Sequence, residues 1–323
     1  MTRFLGGTTT VLAISASPSR ASSPRGDDLA VLGNGKAHGA CSLLHAAGLG
    51  YGASMALDLP VAVRLLDSPS KRALDDPDGL LDGVLKAWTD AGHSLPEGKT
   101  ADDLHWAVAS KIPPRQGLKS SAATSIAALR ALAEATSTEL SDADVVGLSV
   151  QAQILAGVTL TGSVDDAWAC ATPGWKLIDP QAESIEDGVL MESGGPNADD
   201  WHLLIVCRGD RGHKPALEDF VPHQEAFQQA LSALQEGREL VALTWNGRAM
   251  LGVLGDVTGR KITNDSLLNG ARAAGISGSG TALVVVTPKV SKPTCERLKN
   301  FFETRVKDVT VIETSFLNGE SVE

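Results

Sequence analysis

Apolar and polar residues alternate most regularly between residues 57 and 65. In this stretch Leu57, Leu59, Val61, Val63 and Leu65 are separated by Asp58, Pro60, Ala62 and Arg64. Successive side chains of a strand point to opposite faces, so this period of two predicts a strand with one buried face. Upstream, the small apolar residues after Gly35 and Lys36 predict a short helix, followed by a glycine-rich turn over residues 48–52.

The remaining patterns predict helices and strands in both halves of the chain. Predicted helices cover residues 80–88, 120–131, 142–155, 222–235, 239–254, 264–274 and 292–302. Predicted strands cover residues 104–108, 202–207, 281–287 and 309–314. The last helix and strand complete an α+β unit. A looser, acidic stretch from about Trp175 to Asp200 indicates the approach to a second domain.

The N-terminal thirty residues differ in composition from the rest. They contain Arg3, Arg20 and Arg25, many serines and threonines, and no acidic residue before Asp27, which is also the composition of a transit peptide or a weak signal peptide. A disordered tail, or a start codon assigned too early, is the alternative that we favour. The predicted organisation is therefore an N-terminal extension over residues 1–30, an N-terminal domain over 31–180 and a C-terminal domain over 181–323.

Composition narrows the functional classes. The 323 residues are 43% hydrophobic, enough for a substantial core, and the net charge of -11 argues against a general nucleic-acid surface. The four cysteines form no CxxC pair and the seven histidines no HxxxH spacing, so we expect neither a zinc site nor a disulfide framework. No stretch reaches the roughly 20 apolar residues of a membrane span. We therefore expect a cytoplasmic globular protein.

Residues 112–130 carry the first candidate chemistry. Pro113 and Pro114 end the preceding strand, Gly117 permits an unusual backbone conformation, and Ser120 or Ser121 can cap the alanine-rich helix that follows. Unpaired N–H groups, a lysine and two hydroxyls would then face one point, where a phosphate fits. The alternative is a plain loop before a capped helix. It is not the Walker pattern, because the chain's only Gly-Lys-Thr triplet, at residues 98–100, lacks the required first glycine.

A pair of carboxylates, Asp165 and Asp166, lies among small and apolar residues within 158–174. A carboxylate in such surroundings must be paired, hydrogen-bonded or functional, unless the pair simply occupies a surface turn. Farther along, glycines and serines at 275–280 precede an apolar strand, a pattern that is commonly structural.

Three elements together resemble the GHMP kinases, the superfamily of galactokinase, homoserine kinase and mevalonate kinase. PPRQGLKSSAA at 113–123 resembles the PxxxGLxSSAA loop of these kinases. Most of the superfamily has glycine at the position of Lys119, and the GLKSS spelling resembles that of the archaeal-type shikimate kinases. VTLTGSVDDA at 158–167 is similar to their GVTxTGxxDDA segment. ARAAGISGSGT at 271–281 resembles GAxAAGxSGTGP, with Thr281 replacing proline.

The N-terminal part of the chain resembles the same branch. The matching residues are Gly35, Lys36, Ala37, Gly50, Gly52, Leu57, Asp58 and Leu59. His45 stands where that branch usually has Asn, and Tyr51 where it often has Lys, which bears on the substrate pocket. The PATSANLGPGFD-like opening of homoserine kinases and the GEH element of mevalonate kinases are both missing.

The resemblance implies a two-domain α+β GHMP fold, with an S5-domain-2-like N-terminal lobe and a ferredoxin-like C-terminal lobe. It implies ATP and Mg²⁺ as cofactors, Asp165 as general base or hydroxyl-orienting group, Lys36 as the cation beside it, and Ser121 as a metal ligand. The residues implied to bind nucleotide are Pro113, Arg115, Gln116, Gly117, Leu118, Lys119, Ser120, Ser121, Ala122, Ala123, Gly278, Ser279 and Gly280.

The implied reaction is ATP-dependent phosphorylation of shikimate to 3-phosphoshikimate, a step towards chorismate and the aromatic amino acids. Its substrate carboxylate needs a cation, for which Arg64, Arg115, Lys119 and Arg272 are candidates. Leu155 departs from the family, which typically has a magnesium-binding Glu there. The alternatives are a related kinase of homoserine or a mevalonate-like alcohol, and a catalytically silent relative that binds ligand for regulation. Oligomeric state stays open.

Overall fold

The structure, a computed structural model, describes residues 30–159, 161–209 and 214–318. The first group of elements is β1 (Val31–Leu44), α1 (Ala46–Leu49), β2 (Gly52–Leu66), α2 (Leu80–Asp90), β3 (His105–Ser110), α3 (Ser120–Thr136), α4 (Asp142–Leu155), α5 (Val164–Ala171), β4 (Trp175–Ile178) and β5 (Val189–Ser193). The second group is β6 (Trp201–Cys207), α6 (Gln224–Gln235), α7 (Glu239–Val253), α8 (Val257–Leu268), β7 (Ala273–Ile276), β8 (Leu283–Pro288), α9 (Lys292–Arg305) and β9 (Thr310–Thr314). These elements confirm an α+β fold.

The first sheet has five antiparallel strands in the order β1-β2-β4-β5, with β3 also paired to β2. Helix α3 packs along β1, and glycines on the strand allow a close approach. A Cβ added at Gly35 would lie 1.8 Å from the carbonyl oxygen of Ala127. The alanine-rich face of α3 therefore lies almost directly on the strand backbone, which fixes where the helix begins and where its N-terminus points.

The helix predicted after Gly35 is wrong, because these residues lie in strand β1. Small residues such as Ala37, Gly39 and Ala40 suggested a helix by their size and composition. In the fold they are small because α3 and the loop before it pack against this strand, and the Ala40 N–H donates to the carbonyl of Leu118. Tertiary packing has overridden the local preference.

The second sheet has four antiparallel strands in the order β7-β8-β6-β9. Its central strands β6 and β8 are almost fully buried. The helix predicted at 264–274 is displaced, because α8 ends at Leu268 and residues 273–276 form β7. Gly270, at φ 101°, and Ala271 separate the helix from the strand, so the predicted helix spanned a real turn.

The change from one sheet to the other lies between β5 and β6. Because β5 pairs with β4, the first sheet extends to Ser193, beyond the predicted domain boundary at 180/181. We propose a boundary between Ser193 and Trp201 instead. The predicted extension, residues 1–30, lies outside the described residues except for Ala30. Within the described ranges, no helix is both long and apolar enough to cross a membrane.

Candidate active site

The loop before α3 leaves the start of that helix open. The helix begins at Ser120, and its N-cap is Lys119, which has a left-handed backbone (φ 64°) and makes no side-chain capping hydrogen bond. The expectation that Ser120 or Ser121 caps the helix is therefore wrong. The consequence favours anion binding, since the first-turn N–H groups of α3 receive no side-chain oxygen from the N-cap residue and the helix dipole is positive there.

The two glycine-rich loops pack directly against each other. The Ser277 hydroxyl donates to the Gly117 carbonyl at 2.8 Å, and the Ala282 N–H donates to the Gln116 carbonyl at 3.1 Å. A Cβ at Gly280 would lie 2.1 Å from the Gln116 carbonyl carbon, and one at Gly117 would lie 2.1 Å from the Ser277 carbonyl oxygen. The turn at 278–280 thus lies against the loop at 113–119, and both require glycine for that approach.

Helix α5 brings the acidic pair to the same place. Asp166 forms an ion pair with the Lys119 ammonium, with Oδ1 and Nζ 2.7 Å apart, and both side chains are mostly buried. The Ser54 hydroxyl of β2 lies 2.7 Å from Asp166 Oδ1 and 3.3 Å from Asp165 Oδ2. Lys119 Nζ also donates to the Ser42 hydroxyl of β1 at 2.7 Å. We call Lys119, Asp165 and Asp166 the charged cluster.

Burial and mutual repulsion divide the charge unequally within this cluster. Burial, and then the neighbouring Asp166 carboxylate, raise the pKa of Asp165 to about 8. Burial also acts to raise the pKa of Asp166, but the Lys119 ammonium outweighs it and the pKa is lowered. For Lys119, burial is outweighed by the two carboxyl groups, and the pKa is raised. At neutral pH Asp166 and Lys119 are therefore charged, while Asp165 is mostly protonated.

His45 and Asn246 form the wall of the site on the side of the second lobe. Burial, and then the Lys119 charge, lower the pKa of His45 to about 4, so its ring is neutral. Its Nδ1 accepts from the Ala47 N–H at 3.2 Å. Asn246 of α7 is completely buried, accepts from the His45 N–H at 2.9 Å and donates to the Ser42 carbonyl at 3.3 Å. One amide thus connects α7 to the strand and turn that carry the site.

Lys36 is not beside Asp165. Its side chain is exposed on β1, and its carbonyl accepts from Arg130, ten residues along α3 from Ser120. Along the strand it lies six residues, about 20 Å, from Ser42, which contacts the cluster. The position expected for Lys36 is instead occupied by Lys119, whose left-handed backbone turns its side chain towards the acidic pair.

The other predicted nucleotide-binding residues fall into two groups. Leu118, Ala122 and Ala123 are buried and support the start of α3. The remaining residues lie on the loop, on the first turn of α3, or on the turn at 278–280 that packs against the loop. They are Pro113, Arg115, Gln116, Gly117, Ser120, Ser121, Gly278, Ser279 and Gly280. Gln116 is itself buried, and its amide donates to the Gly209 carbonyl at 2.5 Å.

The structure also separates the four candidate cations for a substrate carboxylate. Arg64 is exposed on β2, ten residues from Ser54, and Arg272 lines a different cavity with Trp201. Arg115 is exposed on the loop before α3, and Lys119 belongs to the charged cluster. Leu155 is the last residue of α4 and is 45% exposed, so no carboxylate extends from that helix end.

Sequence reasoning missed Ser42, Ser54 and Asn246. Their signal was weak, because serine and asparagine are common in strands and helices without any role. Each is nevertheless almost fully buried, with an exposed fraction of 2% or less. A buried polar group requires a partner, and for all three the partner is in the site or next to it.

The family model and similar curated proteins point to the same family of kinases. The GHMP kinases N terminal domain family matches residues 83–174. The shikimate kinase of Methanothermobacter thermautotrophicus is 31% identical over 192 residues, 57% of this chain and 63% of the relative, so the match spans less than two thirds of that protein. That of Thermococcus kodakarensis is 31% identical over 199 residues, 58% of this chain and 68% of the relative. That of Halobacterium salinarum strain R1 is 28% identical over 269 residues, 79% and 88%.

Solved structures show the same fold over most of the chain. The mevalonate kinase of Methanococcus jannaschii superimposes with a TM-score of 0.67 and 17% identity, covering 91% of this chain and all of that one. The homoserine kinase of Cytophaga hutchinsonii gives a TM-score of 0.58 and 16% identity, covering 93% and 98%. At these identities the likeness establishes the two-lobed GHMP architecture alone.

Proposed function

Because the chain belongs to the archaeal-type shikimate kinases of the GHMP kinase superfamily, we propose that it transfers the γ-phosphoryl group of ATP to the 3-hydroxyl of shikimate. The products are ADP and 3-phosphoshikimate, on the route to chorismate and the aromatic amino acids. The observation that carries the proposal is the buried charged cluster of Lys119, Asp165 and Asp166 at the open N-terminus of α3.

In this proposal the nucleotide phosphates bind along residues 113–123 and the turn at 278–280. Backbone N–H groups of the first turn of α3 donate to phosphate oxygens, and the helix dipole favours their charge. The tight contact between the two loops keeps these donors in place before ATP arrives, which lowers the reorganisation needed during reaction. Lys119 adds a positive charge near the transferred group.

Asp165 receives the proton of the acceptor hydroxyl. As the hydroxyl oxygen forms its bond to the γ-phosphorus, the bond from that phosphorus to the bridging oxygen of ADP breaks, and the hydroxyl proton passes to Asp165. Asp166 stays ionised in its pair with Lys119 and fixes the ammonium. The Ser54 hydroxyl, within reach of both carboxyl groups, orients them.

The donor set also fits Mg²⁺, which supplies charge neutralisation for the transferred phosphates when bound. The Ser121 hydroxyl is the protein oxygen that would hold it, and Mg²⁺ commonly keeps several waters. Leu155 contributes no side-chain oxygen. This chain would therefore hold the ion with fewer protein oxygens than its relatives, relying more on the nucleotide and on the fixed charge of Lys119.

The acceptor lies beside Gly52, Ser54 and His45 in this proposal. A Cβ at Gly52 would lie 2.5 Å from Asp165 Cγ, so the glycine keeps the carboxyl group against the strand. The neutral ring of His45 offers a polar but uncharged wall. Among the candidate cations, Arg115 is the one that we assign to the shikimate carboxylate, because it lies on the loop before α3, whereas Arg64 is ten residues along β2 from Ser54 and Arg272 lines a different cavity.

The proposal is tested by coupled ADP release from the purified chain with ATP and Mg²⁺, comparing shikimate, homoserine, mevalonate and no acceptor. Turnover that depends on shikimate and exceeds that with the other two alcohols supports it. Turnover with homoserine or mevalonate instead assigns a related kinase. Nucleotide binding without turnover on any acceptor identifies a silent relative, the alternative that Leu155, His45 and Tyr51 leave open.

A further inference from the structure

A second cluster of ligand-type side chains lies in the C-terminal lobe. His202 extends from β6, Cys295 from α9 and Glu313 from β9. Their donor atoms all lie within 4.8 Å of one another. In the part of the chain that the structure describes, no other three His, Cys, Asp or Glu residues approach in this way. We infer that these three residues bind a zinc ion.

The chemistry of the three donors suits zinc better than magnesium or calcium. Zn²⁺ accepts thiolate, imidazole and carboxylate ligands together, whereas Mg²⁺ and Ca²⁺ prefer oxygen alone. One thiolate and one carboxylate also balance the two positive charges of the ion. The His202 Nε2 atom already lies 2.8 Å from Glu313 Oε2. Small side-chain rotations would bring all three atoms to the roughly 2.0–2.3 Å ligand distances of zinc.

Neighbouring groups support two of the three ligands. Lys299 of α9 pairs with the other carboxylate oxygen of Glu313, Oε1, which leaves Oε2 towards His202. The Thr287 hydroxyl of β8 donates to the backbone carbonyl of His202 at 3.3 Å. Partners of this kind orient metal ligands in known sites. Lys299 therefore holds the carboxylate in place without occupying the oxygen that faces the imidazole.

Solvent can reach this cluster. A cavity of about 360 Å³ between the two sheets is lined in part by His202 and Glu313, together with Asp58, Lys111 and Lys289. A water molecule from this cavity would complete a four-coordinate site of three protein ligands. The ion would tie α9 to the central strand β6 and the edge strand β9, so its first effect is on the stability of the C-terminal lobe.

The test is zinc binding by the full chain in the absence of nucleotide. After treatment with a chelator, we expect equilibrium dialysis to restore about one Zn²⁺ per chain and to raise Tm. Cobalt(II), used as a spectroscopic probe, should give intense thiolate-to-metal absorption. If the wild-type chain binds no stoichiometric zinc, or if its cobalt spectrum lacks the thiolate band, the inferred zinc site is wrong.

Variants locate the ion. Cys295→Ala and His202→Ala should lose the bound zinc and the Tm increase, while His105→Ala, which changes a half-buried histidine on β3 in the other sheet, should keep both. Zinc retained by Cys295→Ala and His202→Ala would place the ion elsewhere and contradict the assignment.

Discussion

At the scale of single residues, the proposed role of Asp165 as general base depends on whether it carries a proton. Its pKa is raised to about 8 by burial and by Asp166. A general base must be ionised, and at pH 7 only about one molecule in ten has lost this proton. We therefore predict that kcat/KM rises with pH through about 8 and then levels off. A rate profile that is flat between pH 6 and 9 would argue against Asp165 as the base.

The two lysines give the sharpest comparison at this scale. Lys119→Gln removes the partner of Asp166 and the positive charge that we propose for the transferred phosphoryl group, so we expect kcat to fall by roughly 10²-fold to 10³-fold. Lys36→Gln, on an exposed part of β1, should leave kcat within about twofold. Circular dichroism and ATP binding serve as checks that both variants fold. Equal losses in the two variants would contradict the placement of Lys119.

Lys119 and Lys36 also show which part of the candidate site could not be predicted from the sequence. Asp165 and the loop at 113–123 could be proposed as site residues from the sequence, because both lie in contiguous motifs with a recognisable spelling. The identity of the nearby cation could not, because it depends on the left-handed backbone of Lys119 and on how far β1 runs beside α3. Such distances are set by packing, which a one-dimensional pattern does not contain.

At the scale of elements, the contact between the two glycine-rich loops should be sensitive to single methyl groups. Gly280→Ala would place Cβ against the backbone of Gln116, so we predict destabilisation of about 1–3 kcal/mol and a higher KM for ATP. Gly194→Ala is the matched control, since nothing lies within 4 Å of its added Cβ. The readouts are urea denaturation and initial rates. If the two variants behave alike, the loop contact does not matter.

The elements themselves were largely predictable from the sequence. Helices α2 and α4 and the alternating strand β2 are all confirmed. Helix α2 and strand β2 have a regular apolar period, and α4 begins with a capping box of Ser141 and Asp144. The misassigned strand β1 has small residues for which helix and strand patterns are alike. Its buried glycines make sense only after α3 is placed on top of it.

At the scale of the whole molecule, Asn246 links the lobes. Asn246→Ala removes its bonds to the His45 N–H and the Ser42 carbonyl, leaving both buried groups unpaired, so we predict a loss of about 1–3 kcal/mol in unfolding free energy. Asn300→Ala, an exposed position on α9, should change it by less than about 0.5 kcal/mol. Urea denaturation measures both, and equal effects would show that Asn246 does not couple the lobes.

Clusters of side chains that come from distant parts of the chain could not be predicted from the sequence. His202, Cys295 and Glu313 are far apart in the chain, so the absence of a CxxC or HxxxH spacing suggested that no zinc site was present. The fold of the C-terminal lobe brings them within 4.8 Å. The same is true of Ser42, Ser54 and Asp166, which come from two strands and a helix.

The central claim is that shikimate is phosphorylated at the charged cluster of Lys119, Asp165 and Asp166. The most direct test is the initial rate of shikimate-dependent ADP release by the wild-type chain and by Asp165→Asn, measured together at saturating ATP. We predict clear turnover by the wild type and a rate about 10²-fold to 10⁴-fold lower in the variant, with ATP binding retained. Equal rates in the two proteins would contradict the claim, and so would a wild-type rate that shikimate does not change.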